Sequence, residues 1–199
     1  MTFPVAVCVS GRGTNLQALI DATAGGRLPA RIVLVASSRD MVPALARAKR
    51  AGLPYAVFPV TAEGRGDAQR AMGEAIVAAG ARLVVLAGYD RILADPFWGA
   101  IGDIPVINIH PSLLPAFGGL NRLKVHEAVL AAGVKETGAT VHRANRGKLD
   151  EGEIIVQRSV PVLPGDDPLT LEQRVLETEH AALVEAVARF ARDASAAHA

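Results

Sequence analysis

Apolar positions along the chain follow two alternating rhythms. Short runs that are apolar nearly throughout are "VAVCVS" (5–10), "RIVLVAS" (31–37), "YAVFPV" (55–60), "RLVVLAG" (82–88) and "PVINIH" (105–110). Between them lie longer stretches in which apolar residues recur three and four positions apart. A run apolar on both faces suits a parallel strand covered on both sides, and the three-and-four spacing marks one face of a helix. Leu16, Leu19 and Ile20 define one such face; Met72, Ala75, Ile76 and Ala79 define another. Strands and helices in alternation predict an α/β fold: an open, mainly parallel, Rossmann-like sheet flanked by helices.

After residue 115 the rhythm changes. A Gly-rich loop, "AFGGLN", leads to a helix through Val125 and Val129. Two strand-like runs follow, "GATVHR" (138–143) and "EIIVQRSVPV" (153–162), joined by the polar "ANRGKLDEG". They predict an antiparallel β extension in the C-terminal part. The last helix is predicted to open on a capping box, Thr170 with Gln173, and to bury Val175, Leu183, Val187 and Phe190. The pattern implies a single domain over 1–199 with two halves, 1–105 and 106–190, and a frayed tail at 191–199.

Composition narrows the function classes. Of 199 residues, 50% are hydrophobic and 21% charged, enough for a sizeable core and too apolar for general disorder. A formal net charge of +1 argues against a nucleic-acid-coating surface. One cysteine, Cys8, excludes an internal disulfide and fits a reducing compartment. No apolar stretch reaches the roughly 18 residues of a membrane helix. With a strand starting near residue 4 and no leader pattern, these features imply a cytoplasmic protein.

The first strand and helix are joined by "SGRGTNL" (10–16). Gly11 and Gly13 permit a tight turn, and Thr14 with Gln17 predicts a capping box. Free N–H groups and the helix dipole at such a turn can seat one phosphate, although a plain Gly-rich βα turn has the same letters. A dinucleotide fits less well. Leu16 stands where the third fingerprint glycine belongs, and the second strand ends in Ser37, Ser38 and Arg39 before any acid. That Ser-Ser-Arg group leaves an NADP-dependent reductase as an outside alternative.

In "VINIHPSLLP" (106–115), strand alternation puts Asn108 and His110 on one face, at the carboxyl end of a parallel strand. Asn108 offers an uncharged N–H₂ donor, and His110 a group that exchanges protons near neutral pH. Together they suit an oxyanion clamp with an acid–base partner. The alternatives are a buried structural histidine and an asparagine that caps the strand end. His110, His126, His142 and His180 are scattered without metal-site spacing, so no metal is expected. Asp150, in "LDEG", can either fold back onto the imidazole and raise its pKa or serve as turn chemistry.

Several segments occur in one order: "SGRGTNLQALIDA", "VVLAGYDRIL", "INIHPSLLPAFGG", "GATVH", "LDEGEIIVQ" and "ETEH". From about residue 4 to 190 the sequence closely resembles the glycinamide ribonucleotide formyltransferases of purine synthesis. The resemblance implies formyl transfer from 10-formyltetrahydrofolate, as cosubstrate, to the primary amine of glycinamide ribonucleotide, with no metal. It assigns nucleotide binding to the first half and catalysis with folate binding to the second. By position, Gly13, Thr14 and Asn15 match the phosphate turn, and Glu179 a contact to the ribose hydroxyls. Arg65 and Asp90, Arg91, Ile92 and Leu93 match the folate-lining positions, where main-chain groups bind the pteridine. Asn108, also counted among those folate positions, forms the catalytic trio with His110 and Asp150. The implied partners are small molecules, with neither nucleic acid nor membrane, and the implied assembly is a monomer or homodimer.

The sequence departs from the family pattern in places. Asp90 stands where Met or another apolar residue is usual. The His142–Asp150 loop looks one residue longer, which leaves Glu151 or Glu153 as rivals for the Asp150 role. Leu176 replaces a polar residue seen in some relatives. Methionyl-tRNA formyltransferases and formyltetrahydrofolate hydrolases share the central motif but carry extra domains that this protein is expected to lack. A non-enzymatic nucleotide-binding module is the alternative from another class.

Overall fold

The structure, a computed structural model, describes residues 2–61, 64–121 and 123–196. It forms two compact units: residues up to Ile107 together with those from Val187 onward, and Asn108–Ala186. The division falls inside a strand and again inside the last helix.

The first unit alternates β1 (Phe3–Val9), α1 (Thr14–Ala24), β2 (Ala30–Ser37), α2 (Pro43–Arg50), β3 (Tyr55–Val57), α3 (Arg65–Ala78), β4 (Leu83–Leu86) and α4 (Asp95–Ile101). β1 pairs in parallel with β2 on one side and β4 on the other, so Cys8 stands level with Ala36 and Leu86. Val5 through Val9 are buried, as a strand covered on both faces requires. Burial also pushes the Cys8 thiol up to about 12, which makes it inert packing. β3 is shorter than the predicted 55–60, although the Phe58 and Val60 N–H groups still bond Ser37 O and Ser38 O, with Pro59 turned to the open edge.

The second unit begins at the end of β5 (Val106–His110) and continues with α5 (Leu123–Ala131), β6 (Glu136–Arg143), β7 (Ile154–Pro161) and α6 (Pro168–Ala196) as far as Ala186. β6 and β7 are antiparallel, with Val141 opposite Val156 and a register shift before His142. Val125, Val129, Val160, Leu171 and Val175 form the core of this unit. The strand order is β3-β2-β1-β4-β5-β6-β7, parallel where the first unit's strands pair and antiparallel between β6 and β7. No helix of the described residues is long and apolar enough to cross a membrane.

Three local expectations are corrected. Gly13, at φ 71°, takes the N-cap of α1, so Thr14 is already helical. Gln17 donates to Asp21 and accepts from Arg47, and no capping box forms. At α6 the cap is Asp167, whose carboxylate accepts the Thr170 N–H at 2.7 Å, with Pro168 as the first helical residue. Residues 191–196 continue α6 where a frayed tail is predicted, with Ala191 buried and Ser195 donating to its carbonyl. Residues 197–199 lie outside the described residues.

Candidate active site

Asp150 gathers the polar side chains of the second unit. The β6–β7 loop carries it in a left-handed backbone conformation, φ 55°, and its side chain is 5% exposed. Oδ2 accepts the Gly119 N–H at 2.9 Å and lies 3.3 Å from His110 Nδ1. Oδ1 accepts from Asn108 Nδ2 at 3.3 Å and lies 3.4 Å from His142 Nε2. Asn108, His110 and Asp150 therefore come together as one cluster. Of the two rival carboxylates, Glu151 is exposed, and Glu153 is exposed and pairs with Arg143 at 3.0 Å. Gly152 makes the loop's path possible, since a Cβ there would overlap the Arg143 carbonyl oxygen.

Hydrogen-bond geometry assigns protons within this cluster. His142 Nδ1 lies 2.9 Å from the Arg143 carbonyl, which only accepts, so that nitrogen carries a proton. In the neutral ring, Nε2 then accepts from Asn108 Nδ2 at 3.2 Å. Asn108 Nδ2, His142 Nε2 and Asp150 Oδ1 form a nearly equilateral triangle. The two acceptors subtend about 60° at Nδ2, so both lie on the donor side of the amide.

His110 is buried, and its Nε2 faces the Phe117 carbonyl oxygen at 3.1 Å. Its pKa lies below the usual imidazole value, which corrects the expectation of a net rise, although Asp150 does pull it upward. Burial penalises the cation more than the Asp150 charge and the Phe117 carbonyl favour it. Burial alone would raise Asp150. A hydrogen bond from His142 Nε2 when that nitrogen is protonated, the Gly119 N–H and the charge of either imidazolium outweigh it and hold the carboxyl below its ordinary value.

The other predicted site residues are placed as follows. Gly13, Thr14 and Asn15 open α1, whose first helical bond is Gln17 N–H to Gly13 O at 2.9 Å. The N–H groups of the residues between precede that bond, as at any helix start. α2 fastens this turn: Ala44 N–H bonds Gly11 O, and Arg47 bonds Arg12 O. Arg65 is the exposed first residue of α3. Asp90, Arg91, Ile92 and Leu93 form the irregular segment between β4 and α4. Glu179 lies on α6 of the second unit, 8% exposed. The Ser-Ser-Arg group is committed internally, because Ser38 bonds Ser10 at 2.7 Å and Arg39 pairs with Asp90 at 2.6 Å. That removes the support for an NADP phosphate site.

His142, Phe117 and Gly119 belong to the cluster without being predicted as site residues. Alternation along "GATVHR" puts His142 on the face of buried Thr140, which marks it as inward-facing. The loop atoms carry no comparable mark, because their part is played by the backbone.

Comparisons with known proteins agree with this architecture. Residues 4–187 match the family described as "Formyl transferase". The chain is 39% identical over 177 residues to the phosphoribosylglycinamide formyltransferase of Haemophilus influenzae, a match spanning 88% of this chain and 81% of that protein. It is 43% identical over 187 residues to the trifunctional purine biosynthetic protein adenosine-3 of Gallus gallus. That match covers 92% of this chain but only 18% of the much longer relative. The crystal structure of glycinamide ribonucleotide transformylase 1 from Symbiobacterium toebii superposes with a TM-score of 0.89 at 41% identity, spanning 96% of this chain and 89% of that one. A match over nearly the whole length, joined to this fold and this polar cluster, means that the protein belongs to the formyl transferase family.

Proposed function

We propose that this protein transfers the formyl group of 10-formyltetrahydrofolate to the amine of glycinamide ribonucleotide, a step of purine synthesis. The observation that carries this reading is the buried Asp150 carboxylate joined to Asn108 and His110, in a chain similar to proteins of that name. Attack of the amine on the formyl carbon forms a C–N bond and a tetrahedral oxyanion. One Asn108 N–H is its donor, joined by the His110 Nε2–H once that nitrogen has taken the attacking amine's proton, with substrate replacing Phe117 O at Nε2. Collapse breaks the bond to folate N10. One proton leaves the attacking amine and one reaches N10, so the exchange balances with no net uptake. His110, neutral at the start with its proton on Nδ1 toward Asp150, takes the first proton at Nε2 and delivers one to N10 from the same nitrogen.

In this reading Gly13, Thr14 and Asn15 hold the phosphate, and Glu179 the ribose hydroxyls. Arg65 and the segment Asp90–Leu93 line the pteridine site. Both substrates are small molecules, no metal takes part, and the enzyme works in the cytoplasm as a monomer or homodimer. The test uses purified protein with 10-formyltetrahydrofolate, with and without glycinamide ribonucleotide, following folate absorbance. Turnover only with the ribonucleotide supports the transferase. Turnover without it assigns a formyltetrahydrofolate hydrolase, and binding without turnover assigns a nucleotide-binding module.

A further inference from the structure

Gln69, in the second turn of α3, is fully buried. Its amide is spent on the segment that follows β4. Nε2 donates to the Ile92 carbonyl at 3.1 Å and to the Tyr89 hydroxyl at 3.2 Å, and Oε1 accepts the Ala94 N–H at 2.7 Å. A buried amide with unmatched groups costs about 1–3 kcal/mol, whereas an apolar residue would pack a helix face at no such risk. Packing alone therefore does not account for glutamine. Its amide acts as a peptide group would in a neighbouring strand, pairing with a backbone carbonyl and a backbone N–H two residues apart.

The same segment is fastened at its start. Asp90 N–H donates to Ser10 Oγ at 3.1 Å, and the Asp90 carboxylate takes the Arg39 guanidinium at 2.6 Å. Holding alternate residues 90, 92 and 94 leaves Arg91 and Leu93 little independent swing. Asp90 thus reaches back to the end of β2, which explains a carboxylate where an apolar residue is usual. We infer that Gln69 is a positioning residue for the formyl-folate site: it fixes the backbone of Asp90–Leu93 so that its peptide groups meet the pteridine without reorganising. This rests on the transferase reading above. It adds a specificity-determining group that touches no substrate.

The test is steady-state kinetics of the full-length protein, wild type, Gln69→Leu and Gln69→Glu, varying each substrate in turn, with thermal melts to verify folding. Gln69→Leu removes all three bonds at nearly constant volume. Gln69→Glu keeps the acceptor for Ala94 N–H and sets an oxygen against Ile92 O. The expected result is a KM for 10-formyltetrahydrofolate raised about tenfold or more in both, with kcat and the ribonucleotide KM within about twofold of wild type. Should Gln69→Leu not fold, Tyr89→Phe strands one N–H of the same amide and is expected to raise the folate KM about threefold. An unchanged folate KM, or equal rises in both KM values, overturns the inference and makes Gln69 a core residue only. Wild-type turnover beside an unmoved Gln69→Leu KM sinks this inference alone, whereas a wild type without formyl transfer sinks both readings.

Discussion

His110 and Asp150 meet at 3.3 Å, Nδ1 to Oδ2, while the other nitrogen of the same ring lies 3.1 Å from the Phe117 carbonyl oxygen. Two acceptors thus face one imidazole. A neutral ring has one N–H and satisfies one of them; a protonated ring satisfies both at the cost of burying a cation. Burial wins, and the pKa sits below its ordinary value, with Asp150 opposing the shift. Asp150→Asn removes that opposition. His110 is then expected to titrate lower still by NMR, and turnover to fall by about two orders of magnitude with both substrates bound. Full activity together with an unmoved titration would exclude Asp150 as the imidazole's partner.

The same pair sets a direction for stability against pH. His110 has a folded pKa below its unfolded value, so the unfolded state binds the proton more readily. Its contribution is present above about 6.5 and is lost as pH falls through that value. Asp150, also depressed, contributes above its ordinary value of 3.8 and loses that contribution only in stronger acid. Urea midpoints are therefore expected to drop from pH 7 to pH 5, and less steeply in His110→Gln. A midpoint that rises over this interval contradicts the assignment.

His142 Nε2 is the acceptor that orients the Asn108 amide, at 3.2 Å. His142→Leu leaves that amide to Asp150 alone and strips one neighbour from the buried carboxylate. Turnover is expected to fall about tenfold, and the effects of His142→Leu and Asn108→Ala to be non-additive by about 1 kcal/mol, since each removes the same contact. Additive losses in the double variant would separate the two residues.

Gly13 is required by backbone and packing before any ligand is considered. At φ 71° a Cβ would stand 2.6 Å from Ala44 Cβ and 2.7 Å from Ala44 Cα, neither of them a flexible tip. Gly13→Val is expected to cost stability of about 1–3 kcal/mol, read as a lowered melting temperature. Any rise in the ribonucleotide KM must be separated from that loss. A variant that melts like wild type, with only the ribonucleotide KM raised, would show that the packing constraint is weak.

The strands of the first unit were legible because continuous apolar runs such as Val5–Val9 have few other uses in a protein of this composition. Helix faces were legible where burial is complete, as at Leu16, Met72 and Val125. Helix starts were not. Gly13 and Asp167 took caps expected of Thr14 and Thr170, since a capping-box spacing does not say which residue leaves the helix first. Asn108 and His110 stood out as polar residues in an apolar strand. His142 and Gln69 did not, because each sits among ordinary helix or strand letters and its importance comes from partners distant in sequence. The sign of the His110 shift differs from the sequence expectation for a related reason: sequence names the nearby charge but not the depth of burial.

Asn108 gives the sharpest test of the chemistry. Its Nδ2 lies 3.2 Å from His142 Nε2 and 3.3 Å from Asp150 Oδ1, and the proposed reaction turns one of its N–H groups to a substrate oxygen. If that N–H meets the oxyanion, Asn108→Ala should cost roughly 3 kcal/mol in the transition state, a kcat loss of about a hundredfold or more, with little change in either KM. Asn108→Asp is expected to be worse. It replaces a donor by a carboxylate beside Asp150, and like charges at this separation raise one pKa and repel the oxyanion as well. Kinetics of the two variants, with calorimetric binding of glycinamide ribonucleotide to each, separates catalysis from folding. A fully active Asn108→Ala would make the asparagine a structural strand-end residue and move the oxyanion's stabilisation to His110 alone.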